Sequence, residues 1–396
     1  MNDKLSLRWH RFLGVAIGFF ILIAALSGSI IAFYHTLDAK INPWQISTSQ
    51  TTSLPSDPLS HIGVIEQTIH GARVGWVSLS LNHQSSWNYF LVPQQLNKPI
   101  ENNEVYVDPY TGAIKGMRLW GDITQGWINL LPFIYKVHYS LGLGGFGTVI
   151  MGFAALAWLV VVIGGLWLTF PKPNALFLSQ WAKSWRWRFH GSMKAKTYGW
   201  HKSAGLWGLP FLVILAWSSF ALNLHELHEK MLSPIASFQT QHDAIKLLRK
   251  PRLHPKIEWI TARDIARGLM QEVADKEGFD VLEESYMMYD ALKGVYVYGV
   301  KSSRDVGNDH GETSVYLDAQ TGLLKAVFIP TKKASGDTLM TWLSGLHKGS
   351  IFGVAHRVVM SMLCVVVALM IMSGYYLWWK RTHKHRHGEK INKKMT

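Results

Sequence analysis

The sequence predicts a membrane α-helical plus α+β protein. The expected architecture is a four-helix transmembrane bundle from a duplicated helix–outer domain–helix unit, with two α+β modules on one side of the membrane. Three observations lead there. Four charge-free apolar stretches, at 12–34, 139–171, 203–224 and 358–379, each hold 22 or more residues, and about 20 apolar residues suffice to cross a bilayer. The net charge of +14 is concentrated: 1–11, 171–202 and 380–396 carry 17 Lys/Arg against two acids, whereas 35–138 and 225–351 are close to neutral. Finally, motifs recur about 200 residues apart.

Four spans put the three basic segments on one side, and the excess of Lys/Arg assigns that side to the cytoplasm. The charge is therefore a topology signal and gives no reason to expect a nucleic-acid partner. The expected organisation is 1–34 for the cytoplasmic N-terminus and first span, 35–138 for the first outer domain and 139–171 for the second span. A basic cytoplasmic loop occupies 172–202 and the third span 203–224. The second outer domain is 225–351, the fourth span 352–379 and the basic tail 380–396. Trp9, Trp167, Trp181, Trp185, Trp187, Trp200, Trp378 and Trp379 cluster at the cytoplasmic ends, as an interfacial belt does. The first span is too long for a signal-peptide core and lacks a small-residue cleavage site, so it is expected to remain. The tail after Trp379 is expected to be disordered, with anionic lipid as its partner.

Trp9-His10-Arg11 with Gly14 opens the first span, and Trp200-His201-Lys202 with Gly205 opens the third. The run VYVDPYTGAIK at 105–115 returns as VYLDAQTGLLK at 315–325, and His138 before the second span matches His347 before the fourth. Two copies in one orientation imply a parallel repeat about an axis along the membrane normal. In the first module Asp57-Pro58 caps and starts a helix through about His70, with strands at 74–81, 89–92 and 104–107. In the second, Thr261 caps a helix through about Lys276, with strands at 281–288, 295–301, 313–317 and 323–329. Asp108 to Gly112 and Asp318 to Gly322 read as Asx-type turns between strands.

The one cysteine, Cys364, excludes an internal disulfide framework, Cys-rich zinc and iron–sulfur sites and covalently attached haem. Redox chemistry must fall to the histidines. Six of the 18, His61, His70, His83, His242, His254 and His310, lie in the outer domains without metal-ligand spacing. The informative ones flank the spans. His10 and His201 are repeat mates at the cytoplasmic edge; His138 and His347 are repeat mates at the outer edge. A pseudo-twofold axis brings mates to equal depth on opposite sides, the arrangement two axial ligands of one haem iron require. The bland reading of any one of them is an interfacial anchor or cap. His356 has no mate and is an alternative outer ligand or a proton or substrate group. His35, His225 and His228 sit at outer helix ends; the i,i+3 spacing of His225 and His228 could serve one metal, but an interfacial cap is the favoured reading, and His190 in the basic loop reads as solvated. Ser27-Gly28, Ser218-Ser219, Gly164-Gly165 and Ser373-Gly374 place small residues in every span; they leave room for a flat macrocycle beside the backbone, although close helix packing alone explains them. The G-x-G-x-x-G match at Gly142 to Gly147 precedes a span and follows no strand, so it is no dinucleotide site.

These motifs, in this order, resemble the PepSY-associated transmembrane family. The marks are the two Trp-His-basic openings with their glycines, the apolar residue four places before His138 (Ile134) and before His347 (Leu343), and the two V-Y-x-D-x-x-T-G runs. The resemblance covers 1–381. It implies an iron-regulated bacterial inner-membrane protein with both termini cytoplasmic and two periplasmic PepSY-like domains. It implies haem b in the bundle and reduction of a ferric siderophore in the periplasm, with electrons from a cytoplasmic donor or quinol. Carried over residue by residue, it marks His10, His138, His201 and His347; the pairing into two bis-His haems comes from the repeat. Trp120, Trp127, Trp342 and Tyr135 are candidates for the substrate floor or for the interfacial belt. The competing readings are a non-enzymatic binding or regulatory protein for a periplasmic peptidase or envelope partner, and a transporter. The latter is disfavoured because only His356 and Arg357, near one end, are ionisable within the spans.

Overall fold

The computed structural model describes residues 3–46, 54–81, 86–95, 97–241, 243–307 and 310–395, with side chains described only up to His383 in the tail. His83 and His242 lie outside the described residues.

Helix α1 (Asp3–Ile31) gives way at Ala32 and Phe33 to α2 (Tyr34–Ile41). The first module follows: a 3₁₀ turn at Pro58–His61, α3 (Ile62–Thr68), and strands β1 (Ala72–Ser78), β2 (Trp87–Pro93), β3 (Glu104–Val107) and β4 (Ile114–Arg118). Next come α4 (Leu130–Ser140), α5 (Gly144–Trp167), α6 (Phe177–Ala182), α7 (Met193–Trp207), α8 (Leu209–Asn223) and α9 (His225–Leu232). The second module holds α10 (Trp259–Glu277), β5 (Val281–Asp290), β6 (Val295–Ser302), β7 (Thr313–Asp318) and β8 (Leu324–Phe328). Two helices close the chain, α11 (Ser335–Lys348) and α12 (Gly353–Met395).

Among the described residues, three helices are long and apolar enough to cross a membrane: Leu5–Ile31, Gly144–Trp167 and Gly353–His383. The expected third span is not one straight helix. It is the pair α7 and α8, bent by 72°, and Pro210 stands in the first turn of α8. Proline offers no N–H and starts a helix more readily than it continues one, which accounts for the break. These helices share one apolar seam through Ile21, Ala25, Ala154, Val162, Leu212, Leu215, Met360, Val367 and Ala368. Outside it they display Phe12, Phe19, Phe153, Ile163 and Met362, all more than half exposed. An apolar surface of that extent is the mark of a lipid-facing helix.

The strands do not form two sheets. They make one antiparallel eight-stranded sheet in the order β4-β3-β2-β1-β5-β6-β7-β8. The modules meet where β1 pairs with β5, at Trp76 with Met288, Val77 with Met287 and Ser78 with Tyr286. Val77 and Met287 are fully buried there, and one core runs through both modules, from Ile62 and Ile65 to Ala266 and Met270. Arg263 of α10 reaches across to Asp57 with two hydrogen bonds of 2.8 and 2.5 Å.

Several expected boundaries are corrected. The helix expected from Asp57 to His70 is a 3₁₀ turn and a short α-helix ending at Thr68, although Asp57 does cap it by accepting from the Leu59 N–H. Thr261 is not a cap: α10 begins two residues earlier, after Glu258. The first module has a fourth strand, β4. Its Gly116 sits under Trp44, so the position reads as a turn rather than a strand in the sequence. The tail expected to be disordered continues α12; no proline stops the helix there.

One buried cluster fastens the sheet to α2. Arg118 of edge strand β4 is fully buried and holds Asp38 of α2 through Nη1 and Nη2 at 3.0 and 2.7 Å. Its Nε donates to Glu104 at 2.5 Å and its Nη1 to the Ile128 carbonyl at 2.6 Å. Burial pushes the Glu104 carboxyl up, against the opposing pull of the Arg118 charge. Removing one member of such a network leaves a buried charge unpaired, at a cost of about 3–5 kcal/mol. Arg118→Met is accordingly expected to lower the melting temperature of the purified protein by several degrees, measured by tryptophan fluorescence.

The Asp57–Arg263 pair has a pH signature. Burial pushes Asp57 up, but the Arg263 and Leu59 hydrogen bonds outweigh it and the net direction is down. A carboxylate lowered in the folded state stabilises above its unfolded value and loses that contribution as pH falls through the folded one. The melting-temperature gap between wild type and Asp57→Asn should therefore be largest at neutral pH. It should close as the pH falls below the ordinary carboxylate range.

Candidate functional site

Two histidine pairs face each other across the helices. His10 of α1 and His201 of α7 have ring centroids 6.5 Å apart with planes at 83°. His138 of α4 and His347 of α11 have centroids 6.2 Å apart at 63°. An imidazole nitrogen binds a first-row metal at about 2.0–2.1 Å, and the ring centre lies about 1 Å further back. Two imidazoles on opposite sides of one ion therefore have centroids about 6 Å apart, close to both observed spacings. The Ala24 carbonyl that holds His138 lies 14 residues along α1 from His10, about 21 Å at a helical rise of about 1.5 Å.

The hydrogen bonds decide which nitrogen is offered. His138 Nδ1 lies 3.0 Å from the Ala24 carbonyl and 3.1 Å from Ser27 Oγ. His347 Nδ1 lies 2.8 Å from Ser218 Oγ. His201 Nδ1 lies 2.7 Å from Ser373 Oγ and 3.2 Å from the Met370 carbonyl. His10 Nδ1 lies 3.2 Å from the Val161 carbonyl. The three serine hydroxyls already donate to carbonyls of their own helices, Ser27 to Ile23, Ser218 to Ile214 and Ser373 to Met370, each at 2.6 Å. Their oxygens are left to accept, as carbonyl oxygens must. In a neutral imidazole so placed, Nδ1 carries the proton and Nε2 the lone pair. Metal-binding histidines are held in this way, by a carbonyl or similar acceptor on the other ring nitrogen.

Glycines let the rings come this close. A Cβ at Gly165 would stand 3.1 Å from His10 Cε1, one at Gly28 3.1 Å from His138 Cε1, and one at Gly374 3.6 Å from His201 Cε1. Around the His10–His201 pair lies an apolar cavity of about 330 Å³, lined by Ile21, Trp158, Val162, Leu206 and Val367, with Arg11, Lys194, Lys202 and Arg381 also on its wall. That volume falls in the range of cofactor pockets, about 300–1,000 Å³.

No histidine pair involves His356: its ring stands 5.3 Å from Phe352, and its buried Nδ1 has no hydrogen-bond partner. His228 is buried and accepts from Trp217 Nε1 at 3.0 Å, while the neighbouring His225 pairs with Glu229. His35 packs between Tyr34 and His310, at 5.2 and 6.5 Å. His61 accepts or donates at Ser56 Oγ, 2.7 Å away. Trp120 donates to the Tyr34 hydroxyl and lies against Tyr135, whereas Trp127 and Trp342 are exposed. Among the described residues no group of three or more His, Cys, Asp and Glu gathers as a metal site.

The sequence-family comparison meets this geometry. The model of the PepSY-associated TM region matches residues 7–381. The chain belongs to the PepSY-associated transmembrane family. The match takes in both histidine pairs, the sheet and all but the outermost residues of the candidate spans. No curated protein sequence matches the chain.

Sequence reasoning had singled out the four paired histidines but not what holds them. Ser27, Ser218 and Ser373 were legible only as small packing residues. The Ala24, Val161 and Met370 carbonyls leave no mark in a sequence, because any residue supplies one.

Proposed function

We propose that this family member is a haem b-containing inner-membrane oxidoreductase that carries electrons across the membrane and reduces a ferric siderophore on the periplasmic side, releasing Fe(II). The observation that carries the reading is the common state of the four histidines: two facing pairs at haem-like spacing, with every Nδ1 on an acceptor and every Nε2 directed by that bond to be the donor. The donor set fits haem b, which needs two imidazole nitrogens and an apolar slot. His10 with His201, and His138 with His347, would hold the iron of one group each.

Bound haem supplies one-electron redox capacity at low protein cost. The chain contributes the rest. Helix carbonyls and serines orient the imidazoles and fix their tautomer. Apolar walls keep water away from the cytoplasmic-side pair. The basic residues Arg11, Lys194, Lys202 and Arg381 suit carboxylate groups at the cavity wall. Two sites set along α1 divide a hydrocarbon layer of about 30 Å into shorter steps. The duplicated unit, the four-span topology and the cytoplasmic placement of both termini belong to the same proposal. They are supported by the matching Ser–His contacts in the two halves (Ser27 with His138, Ser218 with His347) and by the basic segments at one end.

Hard oxygen donors of a siderophore hold Fe(III) far better than Fe(II), so one electron suffices to loosen the ion. No residue has to act as acid or base. The periplasmic sheet would receive the substrate above the His138–His347 pair.

Spectra test the reading directly. After expression with ample haem supply, the dithionite-reduced protein should show b-type α-bands, and a colourless protein would reject the proposal. His10→Ala and His201→Ala should each remove the same half of the haem. His138→Ala and His347→Ala should remove the other half, and His356→Ala should remove none. For the activity, haem reduced in the purified protein should be reoxidised by at least one member of a broad panel of ferric siderophores, and Fe(II) trapped by a ferrous chelator should match the electrons consumed. A haem protein that no ferric siderophore reoxidises would keep the cofactor and lose the substrate.

Close packing supplies a further check. Gly28→Val should push the His138 ring off its Ala24 acceptor and lower haem content by up to half, in the same spectral component as His138→Ala.

A further inference from the structure

The stretch 171–202, which links α5 to α7 and runs into α7, contains no acidic residue and holds seven Lys/Arg. It folds into a cup rather than a loose strap. Ser203 of α7, fully buried, donates to the Arg186 carbonyl at 2.8 Å and lies 3.3 Å from the Ser184 carbonyl. Trp207 Nε1 donates to the Trp185 carbonyl at 3.0 Å. Trp181 Nε1 donates to Thr169 Oγ1 at 3.0 Å, tying the segment to the end of α5. The Arg188 side chain lies against Gly199, where a Cβ would stand 2.5 Å from Arg188 Cβ.

The result is a cavity of about 670 Å³ walled by Lys183, Arg186, Arg188, His190 and Lys202, with Trp187, Phe189 and Tyr198 between them. None of these four Lys/Arg residues has a carboxylate within ion-pair distance among the described residues. Lys202 instead leans on Ser184 Oγ at 3.4 Å and on the Tyr198 ring at 5.9 Å. These charges are mainly exposed and converge on one concavity, and Arg forks match phosphate oxygens in particular. Exposed Trp187 and Phe189, at 43% and 72%, add apolar surface beside the charge. Tyr198 and Lys202 also line the His10–His201 cavity, so the cup shares a wall with it.

We propose that this cup binds a phosphate-bearing amphiphile, through Arg186 and Arg188 on the phosphate and Trp187 and Phe189 on the apolar part. Two sources carry that chemistry: the headgroup of an anionic phospholipid and the phosphate of a soluble flavin nucleotide. The inference stands apart from the haem reading, because it rests on the cup alone.

The experiment uses the full chain in neutral detergent after delipidation. One arm titrates flavin mononucleotide and follows quenching of its fluorescence. The other adds phosphatidylglycerol or phosphatidylcholine and counts retained lipid by native mass spectrometry. One probe, flavin mononucleotide or phosphatidylglycerol, should bind, with phosphatidylcholine weak. The Arg186→Gln/Arg188→Gln double variant should weaken it by about tenfold or more, the worth of one or two charge-assisted hydrogen bonds. Arg186→Lys/Arg188→Lys should recover most of the loss, which separates a charge effect from misfolding. Lys196→Gln, a charge of the same segment outside the cup, should leave affinity unchanged. Which probe responds identifies the source. Binding of neither probe, or equal weakening by Lys196→Gln, overturns the proposal. Neither outcome depends on haem being present.

Discussion

A ring N–H buried among apolar helices has to find an acceptor, and that requirement organises this molecule. Water is absent from such a bundle, and an unpaired N–H there costs several kcal/mol. The acceptors at hand are helix carbonyls already engaged four residues on, and serines that have spent their proton on their own helix. Each of the four histidines uses one or both. His138 leans on Ala24 and Ser27, His347 on Ser218, His201 on Met370 and Ser373, and His10 on Val161. To reach a carbonyl the ring must lie almost on the neighbouring backbone, so glycine makes room for two of the rings, at Gly28 and Gly165. Small residues that look like ordinary helix packing are thereby explained by the rings they admit. Nδ1 is consumed by this satisfaction, and Nε2 of each pair is what remains to be used.

The second organising feature is the sheet. Eight strands at about 4.8 Å spacing extend about 34 Å, and both edge strands lead into the helices that carry the outer histidines. Edge strand β4 is followed by α4 with His138, and edge strand β8 by α11 with His347. An open sheet ordinarily leaves exposed edges that invite association. Here the edges are fastened instead. Arg118 ties β4 to Asp38 of α2. At the other end Gln239 bridges Ile329, just past β8, to Asp337 in the first turn of α11. The segments that leave the two edges of the sheet bring their histidine rings to 6.2 Å from each other.

Much of this was legible in the sequence, for definable reasons. Long charge-free runs, a charge excess confined to three segments and a Trp-His-basic motif repeated at matching positions are one-dimensional signals. They located the apolar helices and all four paired histidines. Strands β1, β2, β3, β5, β6, β7 and β8 are visible as β-branched and aromatic runs between turns. What was missed depends on three-dimensional relations. The joining of the modules through β1 and β5 needs a long-range edge pairing that neither strand announces. Strand β4 carries Gly116, a turn residue in isolation, because Trp44 occupies the space above it. The bend between α7 and α8 is marked by Gly208 and Pro210, yet uninterrupted hydropathy hides it. Thr261 has a capping side chain but lies inside a helix already begun at Trp259.

The likeness of the two halves takes in the histidine contacts and the Asp-to-Gly turns of the β3–β4 and β7–β8 hairpins. Ser27 with His138 and Ser218 with His347 make the same bond, and the two rings of each pair are held from opposite sides. Beyond them the halves diverge. The strut of the first is a buried Arg118 shared by two carboxylates, whereas that of the second is an amide, Gln239, on one carboxylate. His10 has no serine, since Gly164 stands where Ser373 serves His201. A charged network tolerates little displacement before it leaves an ion unpaired, while an amide bridge yields at smaller cost.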